Sequence, residues 1–472
     1  MIQPNLRVLS CVMLFVVLAV QGQAQPTLRT KLGQMIMVTF TGDSLEKSTP
    51  SIDTLKRDLS EGLIGGLVVF VWSNNLENPQ QIAHMTAEVQ RRSAIPLLIA
   101  VDQEGGNVAR LSASNGFAAT PTAYHVGTEV NQEGYARQTA STMAGWLAQT
   151  GLTMNLAPVV DVNVNPSSPA IGAVGRSYSA DTLAVATHGG WFIDEFRKKN
   201  VITTLKHYPG HGSAVGDSHL GFTDVTGTWS EKELYPYRNL LASGKIDAVM
   251  TAHVFNARLD SVYPATLSYN TITGLLRTSI GYQGVVVSDA MSMKAITNQF
   301  GMEQAAELAV MAGVDMLLYT RNLDSTGKSL ARSMVNYLES RVTAGAIPVA
   351  RIDESYARIM ELKGRYLTSI PPAIAGVLPE QYGLSNYPNP FNPTTVIKYE
   401  IPASGGQGVR ARDVRLVVYD LLGREVAVLV QGAVEPGMHE VRFDARSLAS
   451  GTYVCRLSAG ATLVTRKLLL VR

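Results

Sequence analysis

The stretch Leu205–Phe222, LKHYPGHGSAVGDSHLGF, concentrates the side chains most able to move protons. Lys206 and His207 close an apolar run. A loop with Pro209, Gly210, Gly212 and Gly216 follows, carrying His211, Asp217 and His219. Asp217 and His219 stand two positions apart, so a curled loop can pair them. A carboxylate on one imidazole nitrogen fixes the tautomer and raises the basicity of the other, which makes His219 a candidate proton donor and acceptor near neutral pH. In VVVSDAMSM, Asp289 ends another apolar run. A carboxylate there can attack an anomeric carbon and form a glycosyl ester, given neighbours that keep it ionised. In VDQEGGNVARL, Asp102 can accept hydrogen bonds from sugar hydroxyls, while Arg110 can bind substrate or brace the acids. Arg176 in GAVGRSYSAD is a second cationic clamp, and Lys206 and His207 complete the polar ring. His253 ends a further run as a cleft or core residue, and Met291 and Met293 read as packing residues.

These residues need elements that bring them together. Short apolar runs recur at Met35–Phe40, Gly65–Phe70, Pro96–Gln103, Thr153–Val162, Val201–His207, Asp247–His253, Gly284–Ala290 and Asp315–Tyr319. Continuous apolar runs suit strands buried on both faces, as in a parallel sheet. Helix-length amphipathic segments separate most of them, at 78–93, 132–150, 182–199, 230–243, 301–312 and 326–343. Ser230 with Glu233 has the spacing of a capping box. The pattern predicts an α/β fold, a TIM-like (β/α)8 barrel. Asp102, His207, His253 and Asp289 all fall at C-terminal ends of runs, which in such a barrel converge on one mouth.

The ends of the chain read differently. Arg7, the apolar run Val8–Val20 and the small residues Gly22 and Ala24 form a signal-peptide pattern over 1–24, with cleavage after Ala24. Cys11 leaves with it, so Cys455 has no partner for an internal disulfide. The barrel is expected over 25–370 and a Pro- and Gly-rich linker over 371–383. From 384 to 472, alternating runs such as VRLVVYDL and HEVRFDA indicate a small all-β sandwich. With 40 basic and 38 acidic side chains the net charge is +2, which provides no basic footprint for nucleic acid. The residues call for no cofactor and no metal ion. His207 and His211 are four apart, as helical metal ligands can be, but Pro209 and Gly210 interrupt a helix and no HExxH is present.

Two resemblances sharpen this reading. The segments DQEGG, GRSYS, KHYPGHG with DSH, and SDAMSM resemble, in order and spacing, the β-N-acetylhexosaminidases of glycoside hydrolase family 3, over about Lys31 to Leu367. The resemblance implies that Asp289 is the nucleophile and His219, assisted by Asp217, the general acid/base. Asp102, Arg176, Lys206 and His207 match sugar-binding positions, with Arg110 beside them. Where that family often carries acidic residues this chain has Ser213 and Ala290. The implied reaction is retaining hydrolysis of terminal β-linked N-acetylglucosamine from peptidoglycan fragments or chitooligosaccharides, by a monomer. A β-glucosidase, a phosphorylase of the same family and a secreted carbohydrate-binding protein are the alternatives. The tail, with YPNPFNP, DLLGREV, GMHEVRFDA and SGTYVCRL, resembles the type IX secretion sorting domain, which implies an export machinery as partner and a secreted or cell-surface location.

Overall fold

A computed structural model describes residues 26–218, 220–367, 382–402, 412–434, 437–460 and 462–471. The expected signal peptide, and residues 371–381 of the expected linker, lie outside the described residues. The chain divides into two compact units.

The first unit is a barrel. Its strands are β1 (Ile36–Val38), β2 (Gly66–Val68), β3 (Leu98–Val101), β4 (Met154–Asn155), β5 (Ile202–Tyr208), β6 (Ala248–Thr251), β7 (Val285–Val287) and β8 (Leu317–Leu318). They pair in chain order, every pairing parallel, with β8 returning to β1. A parallel bridge between Val287 and Met316 closes the ring between β7 and β8. All eight expected runs thus supply a strand, each shorter than its run except β5, where the ladder extends one residue to Tyr208. Beyond β4 the ladder breaks at Pro158, which has no amide hydrogen to donate, and resumes as a single bridge from Val159 to Lys206.

Helices α1 (Leu28–Gln34), α2 (Pro50–Ser60), α3 (Pro79–Arg92), α4 (Glu133–Gln149), α5 (Thr182–Arg197), α6 (Tyr235–Ala242), α7 (Lys294–Phe300), α8 (Met302–Ala312), α9 (Leu330–Thr343) and α10 (Val349–Tyr366) surround the strands, with a π-helix at Asn270–Ser279 covering β6 to β7. Side-chain caps start several of them: Thr49 accepts from Ile52 N, Asn78 from Gln81 N, and Asp181 from Ala184 N. The expected capping box at Ser230 does not form. Ser230 occupies the cap position without a side-chain bond. Glu233 turns inward instead, fully buried, and its Oε2 accepts from Gly212 N at 3.1 Å. The backbone of the histidine loop offers this carboxyl a buried donor that the open helix terminus would replace with water. Burial pushes its pKa up to about 7.

The end of the barrel opposite the mouth is held by two buried aspartates just before β6 and β8. Asp247 accepts from Arg197 Nη2 and Tyr366 Oη at 2.7 Å each, and from Thr203 Oγ1 at 2.9 Å. Asp315 accepts from Arg277 at 2.7 Å, Ser355 at 2.8 Å, Arg351 at 3.0 Å and Arg358 at 3.3 Å. Burial alone would raise the pKa of Asp315, but the three guanidinium groups outweigh it and hold it low.

The second unit contains two antiparallel sheets. One consists of β9 (Gly383–Tyr387), β10 (Thr394–Ile401) and β13 (Gly437–Asp444), in the order β9-β10-β13. The other consists of β11 (Arg412–Tyr419), β12 (Glu425–Val434), β14 (Gly451–Ala459) and β15 (Thr462–Leu470), in the order β12-β11-β14-β15. Alternate residues point inward along β10, and Ile397, Tyr399, Leu416, Val418, Phe443, Leu457 and Leu468 form a separate core. Cys455 is buried in it, and burial pushes its thiol pKa up to about 12.

Two outcomes follow. Asp315→Ala leaves three arginines facing an uncompensated cavity and is expected to cost about 3–5 kcal/mol, read as a lower denaturation midpoint. Glu233 is a carboxyl whose folded pKa, about 7, lies above the ordinary 4.5, so between those values the native state holds the extra proton and wild-type stability falls as pH rises. Glu233→Gln removes this slope. The stability difference between variant and wild type is expected to move in favour of the variant from pH 4.5 to 7; a constant difference would contradict the assignment.

Candidate active site

Four barrel strands deliver the charged residues. Asp102 and Glu104 follow β3, Asp161 follows β4, Lys206 and His207 lie near the end of β5, and Asp289 comes two residues after β7. Arg176 comes from the long connection between β4 and α5. All these ends face the mouth.

The centre of the arrangement is Lys206. Its ammonium is buried and lies 2.7 Å from Asp102 Oδ1 and 2.7 Å from Glu104 Oε1. Arg176 grips Glu104 with both prongs, Nε to Oε2 and Nη2 to Oε1, each at 2.8 Å, and its Nη1 donates to Ala170 O at 2.9 Å. Burial alone would raise the pKa of Glu104, yet Arg176 and Lys206 outweigh it and hold the carboxyl far below the usual carboxylate range. The same carboxylates raise the pKa of Lys206 against its burial. Two cations and two carboxylates therefore share one charge-balanced cluster. Within it the Asp102 side chain keeps 16% exposure while those of Lys206 and Glu104 are nearly closed off, so Asp102 is the member that presents an oxygen to the cleft.

His207 has both ring nitrogens engaged. Nε2 lies 3.1 Å from Arg176 Nη2, and Nδ1 lies 2.7 Å from Asp161 Oδ2. A guanidinium only donates, so Nε2 accepts and Nδ1 carries the hydrogen toward Asp161. Asp161 also accepts from His207 N and from His211 N at 2.8 Å. Burial opposes ionisation of Asp161, and the neighbouring imidazoles and amides win, keeping its pKa low. His211 is buried, with Nε2 3.0 Å from Ser218 Oγ. Burial, then the adjacent His207, lowers its pKa. The turn around it is tight: a Cβ on Gly212 would sit 1.8 Å from Val162 O, and the left-handed φ of +124° at Gly210 suits glycine.

Of the residues singled out in the sequence, Asp102, Arg176, Lys206 and His207 form this connected cluster. Arg110 stands at its edge, with Nη2 3.8 Å from Asp102 Oδ2. Asp289 is partly exposed; its Oδ1 accepts from Ala290 N at 2.7 Å. His253 is buried beneath that turn, with Nε2 3.0 Å from Ala290 O and Nδ1 2.8 Å from Thr266 Oγ1, so it braces the segment carrying Asp289. Met291 and Met293 are buried packing residues, as expected. Asp217 is partly exposed on the loop after His211, and its carbonyl accepts from Leu220 N at 3.0 Å. His219 lies outside the described residues. Among the described residues, the side chains that place three metal-capable atoms within 4.8 Å are Glu46, His84 and Glu88, away from this cluster.

Sequence reasoning missed Glu104, Asp161, Ser218 and Glu233. Glu104 had a signal: it stands two positions after Asp102 in VDQEGG, where Arg110, Arg176 and Lys206 faced only Asp102 among the substrate-binding residues. Asp161 had one too, as a lone acid inside the apolar run NLAPVVDVNV. Ser218 and Glu233 had none, because their roles come from how the loop folds back.

Comparison with known proteins identifies the two parts of the chain. Residues 27–362 match the glycosyl hydrolase family 3 N-terminal domain, and residues 385–471 match the secretion system C-terminal sorting domain, marking the chain for export. A beta-hexosaminidase A from Pseudoalteromonas piscicida is 32% identical over 76% of this chain, which spans 64% of that relative's length. A beta-hexosaminidase from Tolumonas auensis is 34% identical over 57% of this chain and 80% of its own. A solved family 3 beta-N-acetylglucosaminidase from Paenibacillus sp. str. FPU-7 superposes with a TM-score of 0.68 at 36% identity, covering 75% of this chain and 65% of that one. The barrel's matched span, its ordered motifs and these relatives make the assignment: the chain belongs to glycosyl hydrolase family 3.

Proposed function

We propose that the barrel is a retaining exo-β-N-acetylglucosaminidase, acting as a monomer on terminal, non-reducing β-linked N-acetylglucosamine of peptidoglycan fragments or chitooligosaccharides. The observation that carries this reading is the charge-balanced cluster at the mouth, which leaves one carboxylate, Asp102, open to accept from sugar hydroxyls. Family membership and the relatives' activity support the reaction class.

In this mechanism Asp289 attacks the anomeric carbon as protonated His219 donates to the leaving oxygen. A glycosyl ester forms on Asp289. Neutral His219 then takes a proton from water as the water attacks the ester, which regenerates both groups with net retention. Asp217 orients and charges His219. Asp102 meets the sugar's hydroxyls, with Lys206, Arg176 and His207 as the sugar-binding set that fixes it and Arg110 at the rim, so that the ring meets fixed groups rather than mobile water. The export tail supports a reaction outside the cell.

The test uses the full chain with a β-N-acetylglucosaminide and the matching β-glucoside, with and without phosphate, following product anomers by NMR. The expected result is β-N-acetylglucosamine as first product, a rate indifferent to phosphate and little glucoside cleavage. Dominant glucoside turnover, a sugar phosphate product or an α-anomer would reject the reading. Asp289→Asn is expected to abolish turnover without moving the thermal midpoint. His219→Ala is expected to lower kcat by about 10²–10⁴-fold. Binding without turnover by the wild type would instead favour a lectin.

A further inference from the structure

The turn after β2 holds an exposed indole on a rigid base. Residues 71–73 form one 3-10 turn, and Asn74 adopts a left-handed φ of 59°. Beneath it, Ser73 and Asn75 are fully buried. Asn75 Nδ2 donates to Phe40 O at 3.0 Å and Gly42 O at 2.7 Å, and its Oδ1 accepts from Ser73 Oγ at 2.7 Å. Trp72, on top of this buried network, is 62% exposed. Its ring stacks on Phe70 with centroids 4.8 Å apart and planes at 21°. The Arg110 guanidinium lies 5.9 Å from the Phe70 ring centre, and Arg110 Nη2 lies 3.8 Å from Asp102 Oδ2.

A path of direct neighbours thus runs from Asp102 through Arg110 and Phe70 to Trp72. It leaves the charged cluster and ends on a flat apolar face at the same mouth, since β2 and β3 are adjacent and both connections emerge at their C-terminal ends. Burial normally favours an indole, so one left mostly exposed on an immobilised turn contributes less to folding than a buried one would. It does give a preorganised surface, which binds without the cost of ordering a loop. In β-1,4-linked N-acetylglucosamine every ring substituent is equatorial, so each pyranose presents a flat face of C–H groups that fits an indole.

On the reading that this barrel cleaves terminal β-linked N-acetylglucosamine, we propose that Trp72 is a specificity-determining platform for a sugar on the leaving-group side of the cleaved bond. It selects oligosaccharides over simple glycosides, while the cluster around Asp102 holds the terminal ring. A chain that continues as sugar gains the stacking contact, and a short leaving group does not reach it.

The experiment compares full-length wild type, Trp72→Ala and Trp72→Phe on triacetylchitotriose and on methyl β-N-acetylglucosaminide. Trp72→Ala is expected to lower kcat/KM for the trisaccharide about tenfold, mostly through KM, and to leave the methyl glycoside unchanged. Trp72→Phe restores most of the loss. In an Asp289→Asn background, triacetylchitotriose is expected to shift indole emission, and the shift disappears when Trp72 is also replaced. Equal loss on both substrates, or loss on neither, overturns the platform while leaving the N-acetylglucosaminidase reading intact. A wild type inert on both substrates overturns that reading and the platform with it.

Discussion

A buried ammonium cannot stay charged alone, and the barrel mouth is organised around that constraint. Lys206 has its charge matched by Asp102 and Glu104, and Glu104 is in turn matched by Arg176. Removing any one member would strand a charge in a low-dielectric setting, which costs more than the intact set contributes. The cluster therefore behaves as a unit. Its geometry reaches outward through shared partners: Arg176 sets the tautomer of His207, His207 engages Asp161, and Asp161 holds the amide of His211 at the root of the histidine loop. The loop that carries Asp217 thus starts from a backbone pinned by the charges at the barrel mouth.

The two ends of the barrel use similar chemistry for different purposes. At the far end Asp247 and Asp315 are saturated by arginines, tyrosine and serine, with no oxygen offered to solvent. At the mouth the saturation is incomplete, because Asp102 retains access to the cleft. The same pairing of acid and base becomes a clamp where every partner is internal, and an open charged surface where one carboxylate keeps access to the cleft.

Much of this was legible in the sequence. The eight apolar runs gave the strand order because a parallel barrel buries both faces of each strand and leaves no alternation to misread. Asp102, Lys206 and His207 were found from their place at run ends, and Arg176 from its motif. Strand lengths were not legible, since a residue next to a strand is as apolar as one within it. Glu233 was misread because the spacing of Ser230 and Glu233 fits a cap, while the buried amide of Gly212 that captures the carboxyl is distant in sequence. Asp161 escaped notice among apolar neighbours because its partners come from β5 and the loop beyond it. Local patterns identify elements; the partners of a buried charge are a property of the closed ring.

The far-end anchors also impose a temporal order on the chain. Asp315 draws two of its arginines, Arg351 and Arg358, from α10, and Asp247 takes Tyr366 from the last turn of the same helix. A polypeptide that emerges from its amino end therefore carries Asp315 only partly neutralised, and Asp247 short of one hydrogen-bond donor, until the final barrel helix appears. Completion of that helix, more than three hundred residues after the first strand begins, supplies the remaining partners of both aspartates. Until then the barrel is an unfinished cylinder, and the sorting unit is the next segment to follow.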